Sequence, residues 1–185
     1  MVNQENHIEN HIFHLIKSND KEAFNALFND YYQKLCDFSY MIIKRKDLAE
    51  EVVADVFSNL WIKRERIEIK SSLKAYLYKS TKNMTISYIR KRNLEHENLE
   101  YVILEKAADG PNPEQTIIQK ENIEAVHNIL SVIPGKSRVV FKMHRIDNLK
   151  YREIAEILEI SNKSVEKHMG KAIKIMSEYK EKMVI

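Results

Sequence analysis

Cysteine occurs once in the 185 residues, at Cys36. A lone thiol closes no internal disulfide, so a core must hold the fold, as suits a reducing compartment. Cys36 lies in an apolar helical pattern with Leu35 and Phe38, where a small buried side chain is the expected role. Glycine and proline number three each, while good helix formers are plentiful and 44% of residues are apolar. Few breakers and no sustained apolar/polar alternation exclude a sheet and predict an all-α protein of two small helical domains. No run of about 18 apolar residues exists, so no spanning helix is expected. The N-terminus lacks the basic and apolar regions of a secretory signal, and a cytoplasmic location is expected. Gly-rich phosphate loops, metal-spaced Cys/His sets and nucleophile motifs are missing too, which argues against an enzyme and against any cofactor.

Negative charge is absent where it matters. No Asp or Glu occurs from residue 69 to residue 94. Residues 1–93 carry 16 Lys and Arg against 12 Asp and Glu, residues 94–125 carry 2 against 8, and residues 126–185 carry 12 against 7. The net +3 thus hides two basic blocks with an acidic one between them. Two nucleic-acid-facing modules with a spacer that DNA repels would have this profile. Ala107 to Pro113 holds the one cluster of Gly and Pro, so the chain is expected to divide into residues 1–94, a linker over 95–113, and residues 114–185.

The last module carries the clearest pattern. Tyr151–Leu158 is a short helix with Ile154, Ala155 and Leu158 on one side. Ser161 is placed to cap the next helix, which runs to about Met176. On that helix Lys163, Lys167, Lys171 and Lys174 fall within about 80°, opposite Val165, Met169, Ala172 and Met176. A helix, a short turn and a capped basic helix form a helix-turn-helix, with an apolar back and a cationic front for DNA. Upstream, helices over 115–132 and 136–145 complete a four-helix module.

The first module starts with His7, His11 and His14 on one helical face, but no Cys or carboxylate completes a metal set, and a mobile terminus is expected. A helix from Asp20, its N-cap, to about Lys44 turns Ala23, Leu27, Tyr31, Leu35 and Phe38 inward. Asp47 is expected to cap a helix from Leu48 to about Ile62, which carries an acidic edge of Glu51 and Asp55 and, on another side, Phe57 and Trp61. Such a helix is an ordinary solvated face or a dock for a basic partner with Trp as anchor. A loop over 64–70 leads to a helix from Ser71 or Ser72 to about Arg92. There Lys74, Lys79, Lys82, Arg90, Lys91 and Arg92 interleave with Tyr76, Tyr78 and Tyr88. The tyrosines suit either a core or a stacking platform for single-stranded DNA.

In order and spacing these segments resemble the extracytoplasmic-function sigma factors, the two-domain group of the sigma-70 family. The resemblance covers residues 20–93 and 113–178, through Ala23–Tyr32, Leu48–Phe57 with Leu60-Trp61, Ala75–Tyr78 with Asn83 and Tyr88–Arg90, Leu130–Pro134, Arg138–Phe141, and Tyr151–Ala155 with Leu158, Ser161 and Val165. It implies a factor that directs core RNA polymerase to promoters and starts transcription. It also implies a set of contacts. Glu50, Glu51, Asp55 and Trp61 would meet the β′ clamp helices of polymerase, and the −35 domain its β flap. The loop at 64–72, with Lys70 and Ser71, would capture a flipped base of the −10 element. Lys74, Lys79, Asn83 and Arg90 would hold the opened strand. Arg152, Asn162, Lys163, Ser164, Lys167 and Lys171 would dock the −35 element. An anti-sigma factor is a further implied partner.

Three departures from the family pattern are visible. Ala54 stands for the usual Gln, Glu159 for the usual turn Gly, and Ser164 for the usual Thr. If Glu159 is left-handed, it costs on the order of 1 kcal/mol. The alternative reading is a two-domain helix-turn-helix regulator that is not a sigma factor. It predicts dimers on a palindrome and leaves the Trp61 and tyrosine-lysine helices unexplained.

Overall fold

The computed structural model describes residues 2–69, 71–92, 130 and 132–183, with side chains from Ile8 to Tyr179. Lys70, the linker over 95–113 and nearly all of the helix expected at 115–132 lie outside the described residues. Within the described residues every regular element is α-helical. These are α1 (Val2–Lys17), α2 (Lys21–Ile43), α3 (Lys46–Lys63), α4 (Leu73–Lys91), α5 (Gly135–Arg145), α6 (Tyr151–Leu158) and α7 (Asn162–Met183). The chain forms two compact units, the first holding the residues through His96 and the second most of the remainder.

In the first unit α2, α3 and α4 pack on one another, and α1 lies against α2 and α4. Asp20 caps α2 as its sequence position suggests: Oδ1 accepts from the backbone N–H groups of Glu22 (2.9 Å) and Ala23 (3.0 Å). Leu27, Tyr31, Leu35 and Phe38 are buried along its inner face. Phe38 meets Tyr78 of α4 with ring centroids 5.1 Å apart. The same interface holds a buried polar pair. Thr85 Oγ1 donates to the Thr81 carbonyl at 2.7 Å and lies 2.8 Å from Ser39 Oγ. A hydroxyl has one proton, so Ser39 is the donor to Thr85. Bonds of this kind contribute about 1 kcal/mol and fix the register of α2 on α4.

One expectation is met here and one needs correction. The histidine-bearing N-terminal segment is helical, α1, with Phe13 and Ile16 buried. His11 and His14 lie on its exposed side. Asp47 is not the cap of α3: Arg45 holds that position, and Asp47 lies inside the first turn. The Arg45 guanidinium grips it (Nε to Oδ1, 3.0 Å) and holds its carboxyl down to about 2. The backbone N–H groups of Leu48 and of Asp47 itself add to that hold.

In the second unit α5 packs on α7. Val139, Val140, Met143, Leu149, Ile154, Ala155, Leu158, Val165, Met169 and Ala172 are buried. Short helices need their ends satisfied. Glu153 Oε2 accepts from the Lys150 N–H (2.8 Å), reaching back to the N-cap of α6. At the other end the Ile160 N–H donates to the Ala155 carbonyl (3.0 Å), a Schellman closure with Glu159 at the left-handed position, φ 56°. The position that resembles a family Gly therefore does carry left-handed strain. That strain costs roughly 1–2 kcal/mol, against which Gly loses about 0.4–1 kcal/mol through its freer unfolded chain. Glu159→Gly is expected to raise the stability of this unit by about 0.5 kcal/mol in denaturant melts followed by helicity. A loss of stability would contradict the strain.

Candidate nucleic-acid interface

The acidic edge of α3 is already engaged. Glu51 pairs with Arg92 (2.9 Å) at the end of α4. Asp55 accepts a short hydrogen bond from the Tyr88 hydroxyl, whose ring lies 5.7 Å from the Arg92 guanidinium carbon. This bond to Asp55, aided by desolvation, pushes the Tyr88 phenol up to about 12. Glu50 and Ala54 are exposed on α3. Of the four residues assigned to polymerase, then, two are tied to α4, while Glu50 faces solvent.

Trp61 is half-buried at one end of an aromatic row that the inward stripe of α2 does not reveal. Phe24, Phe28 and Tyr32 recur every fourth residue on a second side of α2, and this spacing could have flagged them. Phe24 packs on Trp61 (centroids 4.9 Å) and Phe57 (6.0 Å), and Phe28 packs on Phe57 (4.8 Å) and stacks on Tyr32 (4.7 Å). Arg64 covers the Trp61 ring at 4.4 Å and donates to the Trp61 carbonyl (2.6 Å) and Asn19 Oδ1 (2.9 Å). Beside them Ile62 is 73% exposed. The row ends at Cys36, which is buried, and burial pushes its thiol up to about 11.

Helix α4 starts after Ser72, whose Oγ accepts from the Ala75 N–H at 3.1 Å. Ser71 is exposed beside it, and Lys70 lies outside the described residues. Lys79, Asn83 and Arg90 fall within about 40° of one another on the helix. Asn83 and Arg90 are exposed. Lys74 does not join them. It lies nine residues before Asn83, about 180° around, and its side chain turns to Glu9 of α1 with 16% exposure. The tyrosines also separate. Tyr78 is fully buried core, Tyr88 is held by Asp55, and Tyr76 alone is half-exposed with no such tie.

In the second unit Lys163, Lys167 and Lys171 are exposed along one side of α7. Asn162 is exposed at its first position, about 180° around from Lys171, and Arg152 is exposed on α6. Ser161 caps α7 as expected, its Oγ accepting from the Ser164 N–H at 3.1 Å. Ser164 is placed less freely. Its hydroxyl lies 2.9 Å from Ser161 Oγ and closes the cap. His168, half-buried 3.3 Å from Ser137 Oγ of α5, titrates below the usual imidazole range. Desolvation is the main cause, followed by Lys136, Lys167 and Lys171. Among the described residues no cluster of His, Cys, Asp and Glu could hold a metal, and no helix is long and apolar enough to cross a membrane.

Comparison with known proteins agrees with this geometry. Residues 27–95 match the model of sigma-70 region 2, and residues 123–176 match that of sigma-70 region 4. The chain is 26% identical to the ECF RNA polymerase sigma factor SigW of Bacillus subtilis over 157 residues, covering 78% of this chain and 82% of that one. It is 28% identical to the ferric citrate uptake sigma factor FecI of Escherichia coli over 151 residues, covering 82% and 87%. Among solved structures, CnrH in complex with the cytosolic domain of CnrY shares the fold with TM-score 0.58 and 18% identity, over 94% of this chain and 97% of that one. The sigma factor RpoE of Bartonella quintana, solved with the anti-sigma factor NepR, does so with TM-score 0.55 and 19% identity, over 84% and 94%. The chain belongs to the sigma-70 family, as an RNA polymerase sigma factor of the extracytoplasmic-function type, a transcription initiation factor and not an enzyme. The reading as a helix-turn-helix regulator outside that family is not favoured.

The Tyr88–Asp55 bond has a titration signature. A phenol whose pKa is raised in the fold lends stability that is complete below its ordinary pKa near 10 and is lost as pH rises toward 12. Subtracting the alkaline tyrosinate titration of Tyr88→Phe from that of the wild type isolates this group. The midpoint of the difference is expected well above 10 and should return toward 10 in Asp55→Asn. A wild-type midpoint at the ordinary value would refute the bond.

Proposed function

We propose that this sigma factor docks core polymerase through the outer face of α3 and the Trp61 end of the aromatic row. Glu50, Glu51 and Asp55 supply negative charge to the β′ clamp helices, and Trp61 supplies an anchor. The −10 strand follows the side of α4 that carries Lys79, Asn83 and Arg90, entered from Lys70 and Ser71. Arg152, Asn162, Lys163, Lys167 and Lys171 seat the −35 element in the major groove, and Ser164 acts mainly by holding the start of α7. Three parts divide this work: residues 1–94 for polymerase and −10, residues 95–113 as linker, and residues 114–185 for −35 and the β flap. The protein works in the cytoplasm and is restrained by an anti-sigma factor, as the RpoE–NepR complex suggests.

One observation carries the reading most directly. The exposed cations of α7 share one side, while Val165, Met169 and Ala172 are buried behind them. A helix so divided has its back committed to its own domain and its front open to phosphate and base edges.

Run-off transcription with purified core polymerase tests the whole reading. Discrete transcripts are expected only when the chain is added. Glu50→Lys is expected to weaken core binding about tenfold, a penalty of about 1.4 kcal/mol, with no loss of fold. It is cleaner than reversing Glu51 or Asp55, which would also disturb Tyr88 and Arg92. Lys163→Ala and Lys167→Ala should each reduce the salt slope of −35 binding by about 0.9. Duplex binding as a dimer, with no core-dependent transcript, would refute the assignment.

A further inference from the structure

We propose that Glu9, on the N-terminal helix, is a positioning residue for capture of the single-stranded −10 element, and that Lys74 serves this tie and does not contact DNA. The inference rests on the assignment of α4 to the −10 strand. Glu9 lies outside the segment matched to sigma-70 region 2, which begins at residue 27.

The geometry is a three-helix junction built on one carboxylate. Glu9 Oε1 accepts from the Tyr31 hydroxyl of α2 at 3.0 Å. Glu9 Oε2 accepts from the backbone N–H of Lys74, in the first turn of α4, at 3.3 Å. Lys74 Nζ lies 3.8 Å from Oε1, and the Glu9 side chain is 13% exposed. A carboxylate this sheltered persists only where its oxygens are satisfied. Phe13 and Ile16, four and seven residues further along α1, are buried and hold the helix in place.

The first turn of a helix leaves N–H groups without partners and carries the positive end of the helix dipole. In α4 Ser72 satisfies one of these, the N–H of Ala75. Glu9 satisfies the N–H of Lys74. The second cap comes from another helix, so it fixes where α4 begins relative to α1 and α2. The loop that would receive a flipped base ends at that point. Lys74 itself lies about 180° around α4 from Asn83, away from the strand path. Losing Glu9 leaves α4 formed and packed through Leu77, Tyr78 and Ile89. What shifts is its first turn, and the loop joined to it.

The test compares holoenzymes assembled from the full chain and core polymerase. Three affinities are measured for each: for core, for a duplex carrying only the −35 element, and for a fork whose −10 non-template strand is unpaired. Glu9→Ala is expected to lose about fivefold to tenfold on the fork, the scale of one helix cap, with the other two affinities unchanged. Lys74→Met keeps the backbone N–H and is expected to stay within about threefold on the fork, with an unaltered salt slope, where a phosphate contact would remove about 0.9 from it. Glu9→Gln, which preserves size, stands in if Glu9→Ala fails to fold. Its Lys74 and Ala75 amides are expected to exchange hydrogen faster while the α3 amides do not. Unchanged fork binding in the Glu9 variants overturns the proposal, as does equal weakening of all three affinities, which would mark a merely structural role. A Lys74→Met loss as large as that of Glu9→Ala with a shallower salt slope overturns it as well. A wild-type holoenzyme that ignores the fork would refute the −10 assignment itself.

Discussion

Helix α4 buries one side deeply while leaving the other open to solvent, and the first unit is arranged around that division. Leu77, Tyr78, Thr81, Thr85 and Ile89 are sealed against the bundle. A purely apolar seal would let α4 slide or turn, since hydrophobic contact is non-directional. The Ser39 and Thr85 hydroxyls, linked in series to the Thr81 carbonyl, remove that freedom at mid-helix, because a slipped register would leave buried donors unpaired. The ends are fixed by other means: Ser72 and Glu9 at the start, Tyr88 and Arg92 at the finish. The open side can then be polar and cationic without supplying any of the packing.

The two ends differ in strength. The start is sheltered and the finish is not. Arg92 and Glu51 are each about half exposed, and exposed ion pairs contribute little because water and salt screen them. Such pairs can exchange partners at small cost. A basic surface approaching α3 can therefore take over Glu51 from Arg92, and the arginine so released lies on the helix assigned to the −10 strand. The face proposed for polymerase and the face proposed for the −10 strand are thus linked by an exchangeable pair. The aromatic row gives the docking side its shape, with Phe57 buried at its centre and Trp61 half-open at its end.

Much of this was legible in the residues. The scarcity of breakers and the spacing of Leu27, Tyr31, Leu35 and Phe38 fixed the helices, and the side chains of Asp20 and Ser161 marked two starts correctly because capping is local chemistry. Asp47 misled because the cap position falls two residues earlier, at Arg45, which leaves the carboxylate inside the first turn, where the Arg45 guanidinium meets it. The basic front of α7 was readable from periodicity alone. The roles of Glu51, Asp55 and Lys74 were not, since each is decided by a partner 41, 33 or 65 residues distant in sequence. The resemblance likewise grouped Lys74 with Lys79, Asn83 and Arg90, although nine residues place Lys74 and Asn83 on opposite sides of the helix. The tyrosines stayed ambiguous for a plain reason: buried and stacking rings share the same residue type.

The second unit solves its problem differently. Helix α6 has eight residues, too few to persist in water by propensity. Its ends therefore matter more than its length. Glu153 closes the start, and the Ala155–Ile160 bond closes the finish. The finish forces Glu159 into the left-handed region, a strain that a glycine would not bear. Two residues later Ser161 and Ser164 close the start of α7. The direction in which α7 leaves this turn decides where Asn162 and Lys163 point, and these are residues proposed to meet the −35 element. In a unit this small, the backbone of a turn sets the direction of the helix before any side chain on it can act. The Thr usual at position 164 and the Ser found there are then near equivalents, because the hydroxyl they share is used by the protein to build the helix start.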